Sequence, residues 1–265
     1  MKGFKNLKKI SILLISFIIF LSFSGCWDIP KYSEEDLAKI HSNMEQYLKN
    51  TYQKDFIVKK PKVTGNEGFG YNLYQAVATP IDNHKVEFTI AWDKRDPNKY
   101  EDTYLNKLWT YQGKDEVGQL LKKVYGYEVP FEYYFFYNYE RLDVEKNNLK
   151  KLNYKDIIEK HSNDIKCTII CYFFTNKDVD KKAESEKAYM FYKQYILNNK
   201  INDYFITNTY LVEELRNEFL TKLNNGTLNF NPNELYRENK LINSLRMNYK
   251  QNNNSSEDIL KRFDY

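Results

Sequence analysis

The sequence predicts an α+β protein: an antiparallel sheet meander flanked by amphipathic helices and divisible into two lobes. Three observations carry that reading. Apolar residues recur at helical spacing over residues 34–53. Runs rich in β-branched and aromatic residues, each bounded by turn signals, follow at 56–63, 71–78 and 86–92. Helical spacing then resumes near residue 102, and a second succession of strand-like and helix-like segments begins at residue 127.

The first helix opens where Ser33 and Asp36 stand at capping-box spacing, and Leu37, Ile40, Met44, Tyr47, Leu48 and Tyr52 line one face. The run 56–63 is the first strand. A loop with Gly65, Gly68 and Gly70 leads to the second, which ends at Pro80-Ile81-Asp82-Asn83. The third, 86–92, alternates so as to bury one face and ends at Asp96-Pro97. Tyr104, Leu105, Leu108, Trp109, Val117, Leu120, Leu121 and Val124 mark the next helix, which Gly113 and Gly118 are expected to break in two. Residues 33–126 therefore form a first lobe of helix, three strands and helix.

The second lobe covers 127–230. Phe131–Tyr137 is a strand by aromatic content, Tyr154–His161 a short helix and Ile165–Thr175 a buried strand. Residues 180–199 read as a helix, 204–207 as a brief strand, and 211–223 as an amphipathic helix stopped by Asn225-Gly226. In the remaining piece, 231–265, a helix is expected over 234–249. The polar run 251–257 predicts little order over 250–265.

The N-terminus carries an address. Lys2, Lys5, Lys8 and Lys9 precede an uncharged run over 10–27, the pattern of a basic segment followed by an apolar one. The apolar core gives way to small residues before Cys26. Ser24, Gly25 and Cys26 resemble the lipobox of bacterial lipoproteins; Phe23 departs from it, at a position that usually holds Leu. The resemblance implies that residues 1–25 are a signal peptide cleaved between Gly25 and Cys26. It also implies that the Cys26 thiol carries a diacylglyceryl group, that its amine can take a third acyl chain, and that 26–32 are a tether. The partner it implies is the membrane itself, with the mature chain held by lipid on the extracytoplasmic face. Two or more acyl chains, at about 0.8 kcal/mol per buried methylene, make a stable anchor. The uncharged run is also close to the length of about 20 residues that spans a bilayer, so an uncleaved anchor is a second reading, and ordinary cleaved secretion a third. All three put the rest of the chain outside the cytoplasm.

Composition excludes more than it identifies. The formal net charge of +4 is that of the four lysines in the first nine residues, so the rest of the chain is formally neutral and lacks the basic footprint of a nucleic-acid-binding protein. Tyr is abundant, at 24 residues, and suits both core and half-exposed strand positions as well as a groove for sugars or peptides. After Cys26 only Cys167 and Cys171 remain, in one predicted strand. Four residues apart at about 3.3 Å each, they are too distant for a disulfide and read as small core residues.

No motif for chemistry stands out. His41, His84 and His161 are widely separated and form no metal-ligand spacing, so no metal and no cofactor is expected. Gly65-Asn66-Glu67-Gly68-Phe69-Gly70 lies between strands and does not open a helix, and reads as a loop, not a phosphate cradle. Asn176-Lys177-Asp178-Val179-Asp180 lacks the central Gly and terminal Glu of a calcium loop. No residue is assigned as catalytic. The function expected is a non-enzymatic binding module displayed at the membrane, its partner an extracellular protein, peptide or wall component; an immunity-type protein is one such module. The alternative is an envelope enzyme using carboxylates, for which Glu213-Glu214 and the Asp143/Glu145 pair are candidates. A solute-binding lipoprotein would need clear β-α-β alternation, which the meander over 55–92 opposes.

Overall fold

The computed structural model describes residues 33–64, 73–137, 149–251 and 253–264. Residues 1–32, with Ser24, Gly25, Cys26 and the tether, lie outside the described residues, as do the Gly65–Gly70 loop and the Asp143/Glu145 pair. Helix α1 (Glu34–Tyr52) starts where expected: the Ser33 side chain accepts from the Asp36 N–H at 3.0 Å, and Ile40, Met44, Leu48 and Tyr52 are buried.

A first sheet follows. The predicted first strand is two, β1 (Phe56–Val58) and β2 (Lys62–Thr64), because Pro61 lacks the N–H that a continuous ladder requires. Both pair antiparallel with β3 (Leu73–Pro80), at its two ends. β3 pairs in turn with β4 (Phe88–Asp93), and β4 with β5 (Tyr100–Asp102), a strand that periodicity alone did not reveal. The sheet is antiparallel throughout. Tyr74, Ala76 and Ala78 on one face of β3 are buried with Phe88 and Ile90 of β4.

Helix α2 (Tyr104–Tyr125) is a single helix; neither glycine breaks it. Gly113 sits where a Cβ would lie 2.5 Å from the Tyr154 ring and 2.9 Å from the Tyr133 hydroxyl, so its missing side chain admits those rings. At its N-terminal end α2 presents Tyr104 to Phe56 and Phe88 of the first sheet; further along, Trp109 meets Phe135 and Tyr137 edge-on. One hydrophobic cluster accordingly runs from Ile40 to Ile259 through both predicted lobes.

The second sheet comprises β6 (Phe131–Tyr137), β7 (Ile165–Thr175), β8 (Asp203–Val212), β9 (Leu241–Asn248) and β10 (Phe263–Asp264), in the spatial order β10-β9-β8-β7-β6. β6 and β7 match the strands expected from the sequence, while β8 is far longer than the brief strand expected. Its pairing with β7 is parallel and is made through the crossover helix α4 (Lys181–Tyr192) and a π-helical turn (Lys193–Leu197); the other pairs are antiparallel. Helix α3 (Tyr154–His161) follows a full capping box at Asn153 and Asp156.

The C-terminal third differs most from expectation. The predicted helix over 211–223 begins only after β8 has ended, as α5 (Arg216–Asn224). The predicted helix over 234–249 is the short α6 (Pro232–Arg237) and then β9, since Asn243, Leu245 and Met247 alternate and are buried on one strand face, while a register shift opposite Tyr210 and Leu211 turns buried Leu241 to the other. Within 250–265, expected to be poorly ordered, residues 256–260 form a helix, α7 (Ser256–Leu260), and 263–264 form β10; Ile259 is fully buried.

Candidate functional site

The second sheet has two unlike faces. Odd residues of β6 and β7 and even residues of β8 point into the shared core. The registers line up the opposite face in rows across the strands: Glu132, Ile170, Thr207 and Arg246; then Tyr134, Thr168, Phe205 and Asn248; then Phe136, Lys166 and Asp203. One end of this far face is covered by the chain itself. Tyr172, Leu211, Phe219 and Leu241 form a second buried cluster, with Phe219 of α5 4.6 Å and Phe230 5.6 Å from the Tyr172 ring. The other end is left uncovered: Phe136 is 49% exposed, and Tyr134, Thr168 and Phe205 are half-buried.

Polar groups are placed across this surface with specific partners. The Glu132 carboxylate accepts from the Tyr172 hydroxyl at 2.6 Å and the Tyr134 hydroxyl at 2.9 Å. Burial first, and the hydrogen bond to Glu132 second, push the Tyr134 phenol up to about 12. The Thr207 hydroxyl, buried mid-row, has no hydrogen-bond partner among the described residues. A buried unpaired hydroxyl carries a desolvation cost that an outside acceptor or donor would relieve. Hollows open at both ends of the rows. One, about 440 Å³, is lined by Lys166, Thr168, Phe205, Asn248 and Tyr249. The other, about 600 Å³, runs between β6, α2 and α5 and includes Glu132, Tyr134, Lys114, Arg216, Leu220 and Leu223.

The reactive side chains singled out in the sequence are dispersed. His41 ties α1 to β1 through a 2.7 Å contact between Nε2 and the Val58 carbonyl; His161 lies 3.4 Å from the Tyr137 hydroxyl; His84 is exposed in a turn. Cys167 and Cys171 are free, fully buried and on the core face of β7, where burial pushes both thiols up. Asp180 caps α4, its side chain accepting from the Ala183 N–H at 3.1 Å. Glu213 is paired with Arg216, which holds its carboxyl below the usual range. Among the described residues, every carboxylate with a displaced pKa is displaced downward: Asp93, Glu213, Glu218 and Glu257. A carboxylic general acid needs the opposite shift. Also among the described residues, no three metal-ligating side chains gather, and no helix is long and apolar enough to cross a membrane.

Behind the core face, the hydroxyls of Tyr133, Tyr154 and Tyr195 meet in a triangle, with Tyr195 2.7 Å from Tyr133 and 2.5 Å from Tyr154. Burial pushes all three phenols up, so they stay neutral donors and acceptors for one another. The far-face residues themselves were within reach of sequence reasoning, because alternation in 131–137 and 165–175 fixes which residues share a face. Which face the chain would leave open was not, since it depends on α5 and α6 folding back.

No protein-family model matches the chain, and no curated protein sequence matches it. Among solved structures, the chain is similar to the crystal structure of a DUF5037 family protein from Ruminococcus gnavus, with a TM-score of 0.41 and 17% identity over 69% of this chain and 80% of that one.

Proposed function

We propose that the chain is a lipid-anchored protein of the extracytoplasmic membrane face that binds a macromolecular partner through the uncovered half of the far face. The observation that carries the binding half is that self-coverage stops midway along one sheet. The chain's own α5 and α6 bury the apolar rows, and the rows beyond mix aromatic bodies with placed polar tips, the composition of interface surfaces. The address rests on Ser24, Gly25 and Cys26. An extended tether from Cys26 to Ser33 reaches about 25 Å at most, which would keep α1 close to the lipid surface.

Two measurements test this. Intact mass spectrometry of membrane-extracted protein should show loss of residues 1–25 and addition of a diacylglyceryl group, both abolished by Cys26→Ala; an unmodified full-length chain rules the lipid anchor out. A photocrosslinking side chain at Phe136, on intact cells, should capture a partner that the same group at Ile81, a similarly exposed position in the turn after β3, does not. Equal capture from both positions would remove the far face as the binding surface.

A further inference from the structure

The crossover helix α4 does not end as an ordinary α-helix. It widens into the π-helical turn Lys193–Leu197, after which the Asn198 N–H donates back to the Lys193 carbonyl at 3.2 Å. Single π-helical turns of this kind are frequent at functional sites. The chain then leaves the turn through a Schellman motif. The Ile201 N–H donates to the Ile196 carbonyl and the Lys200 N–H to the Leu197 carbonyl, both at 3.1 Å. Lys200 itself stands at φ 54°, in the left-handed region where glycine is the usual and less costly occupant.

A side chain is thus kept where the backbone disfavours one, and it lines a cavity. The cavity, about 420 Å³, opens between this turn, α3 and α2, and its size suits a small ligand. Tyr154 and Ile158, both buried, give it apolar surface, and the Tyr154 hydroxyl lies 2.5 Å from that of Tyr195 on the π-helical turn. The wall is therefore braced by the phenol triangle. Around the opening, the side chains of Glu159, Ser162, Asn198 and Lys200 have no hydrogen bond or ion pair among the described residues. Asn199 donates its Nδ2–H to the Tyr195 carbonyl at 2.8 Å, which leaves Oδ1 to accept.

Charge selects the class of ligand. Glu116 and Glu159 are balanced by Lys155 and Lys200, and Lys155 lies 4.0 Å from Glu116. An anion or a cation would meet as much repulsion as attraction. A neutral molecule bearing several hydroxyls can instead donate to the carboxylate and amide oxygens and accept from the ammonium. A sugar ring has that rim of hydroxyls, together with an apolar C–H face for Tyr154 and Ile158.

We propose that this cavity binds a neutral sugar unit, its hydroxyls held by Glu159, Asn198, Asn199 and Lys200. The cavity lies on the α2 side of the second sheet, opposite the far face, so the two sites stand or fall separately.

The test is an amide NMR titration of the protein with D-glucose, D-galactose, D-mannose and N-acetylglucosamine, each to ~50 mM, with acetate and methylammonium as charged controls. At least one sugar should move the Asn198 and Asn199 side-chain signals with a Kd in the millimolar range, and neither control should. Lys200→Gly removes the ammonium and relieves the left-handed backbone, so it should weaken sugar binding ~10-fold while the thermal midpoint stays level or rises. Glu159→Ala, at an exposed helix position, should weaken binding without unfolding the chain. Sugars that move neither signal, a control that acts as the sugars do, or sugar binding undiminished in either variant would each overturn the proposal.

Discussion

Gly113 and Gly118 stand five residues apart on one helix and differ in what lies against them. A Cβ at Gly113 would fall 2.5 Å from the Tyr154 ring, inside any tolerated contact, and that ring is locked by the three-hydroxyl triangle. A Cβ at Gly118 would lie 3.3 Å from the edge of the half-buried Phe131 ring, which can shift. Replacing a helical glycine by alanine contributes about 1 kcal/mol of helix propensity, and overpacking a tight core costs about 1–3 kcal/mol. Gly113→Ala is therefore expected to destabilise the protein by up to about 2 kcal/mol, and Gly118→Ala to leave it unchanged or more stable by up to about 1 kcal/mol. Urea denaturation of the two variants checks both signs. Equal effects would mean that the triangle around Tyr154 gives way as easily as the Phe131 ring.

Among the elements, α7 and β10 are short but central to the second sheet. β10 pairs Phe263 with Leu245 and Asp264 with Ser244, extending the sheet beyond β9, while α7 brings Ile259, fully buried, into the main core. Ile259→Ala should cost about 2–5 kcal/mol, a core value rather than the few tenths expected of a terminal tail; the denaturation midpoint decides. Composition concealed this, because polar Gln251, Asn253 and Asn254 read as tail whereas Asn253 is buried and donates to the Tyr204 hydroxyl at 2.9 Å. Elements with one strong local signal were legible: α1 from its cap and stripe, β6 and β7 from aromatic and β-branched content. Elements whose pattern fits two periods were not. Residues 241–249 satisfy both helical and strand spacing, and only pairing with β8 settles them as strand. The glycines of α2 misled for a related reason, since a helix interior tolerates glycine where a partner ring takes the vacant space. Of the candidate site, face membership was readable from alternation, whereas its covered end joins Tyr172 to Phe219 and Phe230, residues far apart in sequence.

At the scale of the molecule the two predicted lobes share one core, and their tyrosines titrate with it. Burial pushes up the phenols of Tyr125, Tyr133, Tyr195 and Tyr210, and raises Tyr134 and Tyr137 to about 12. The unfolded chain releases these protons near pH 10, the native chain later, so the unfolded state binds fewer protons between about pH 10 and 12. Stability is full below pH 10 and falls as pH rises through that window. The expected outcome is one cooperative alkaline transition in which phenolate absorbance and loss of far-ultraviolet dichroism coincide; two separate steps would show lobes that unfold independently. The docking of α1 has a mechanical side as well. It holds to the core through one stripe, Ile40, Met44, Leu48 and Tyr52, helped by the His41 contact to Val58. A chain anchored at Cys26 and gripped at β6 would return any pull to the bilayer through that helix. Peeling its stripe contact by contact takes less force than shearing a sheet. A 19-residue helix lengthens from about 28 Å to about 65 Å when drawn out, so α1 would yield slack of nearly 40 Å before either sheet is strained.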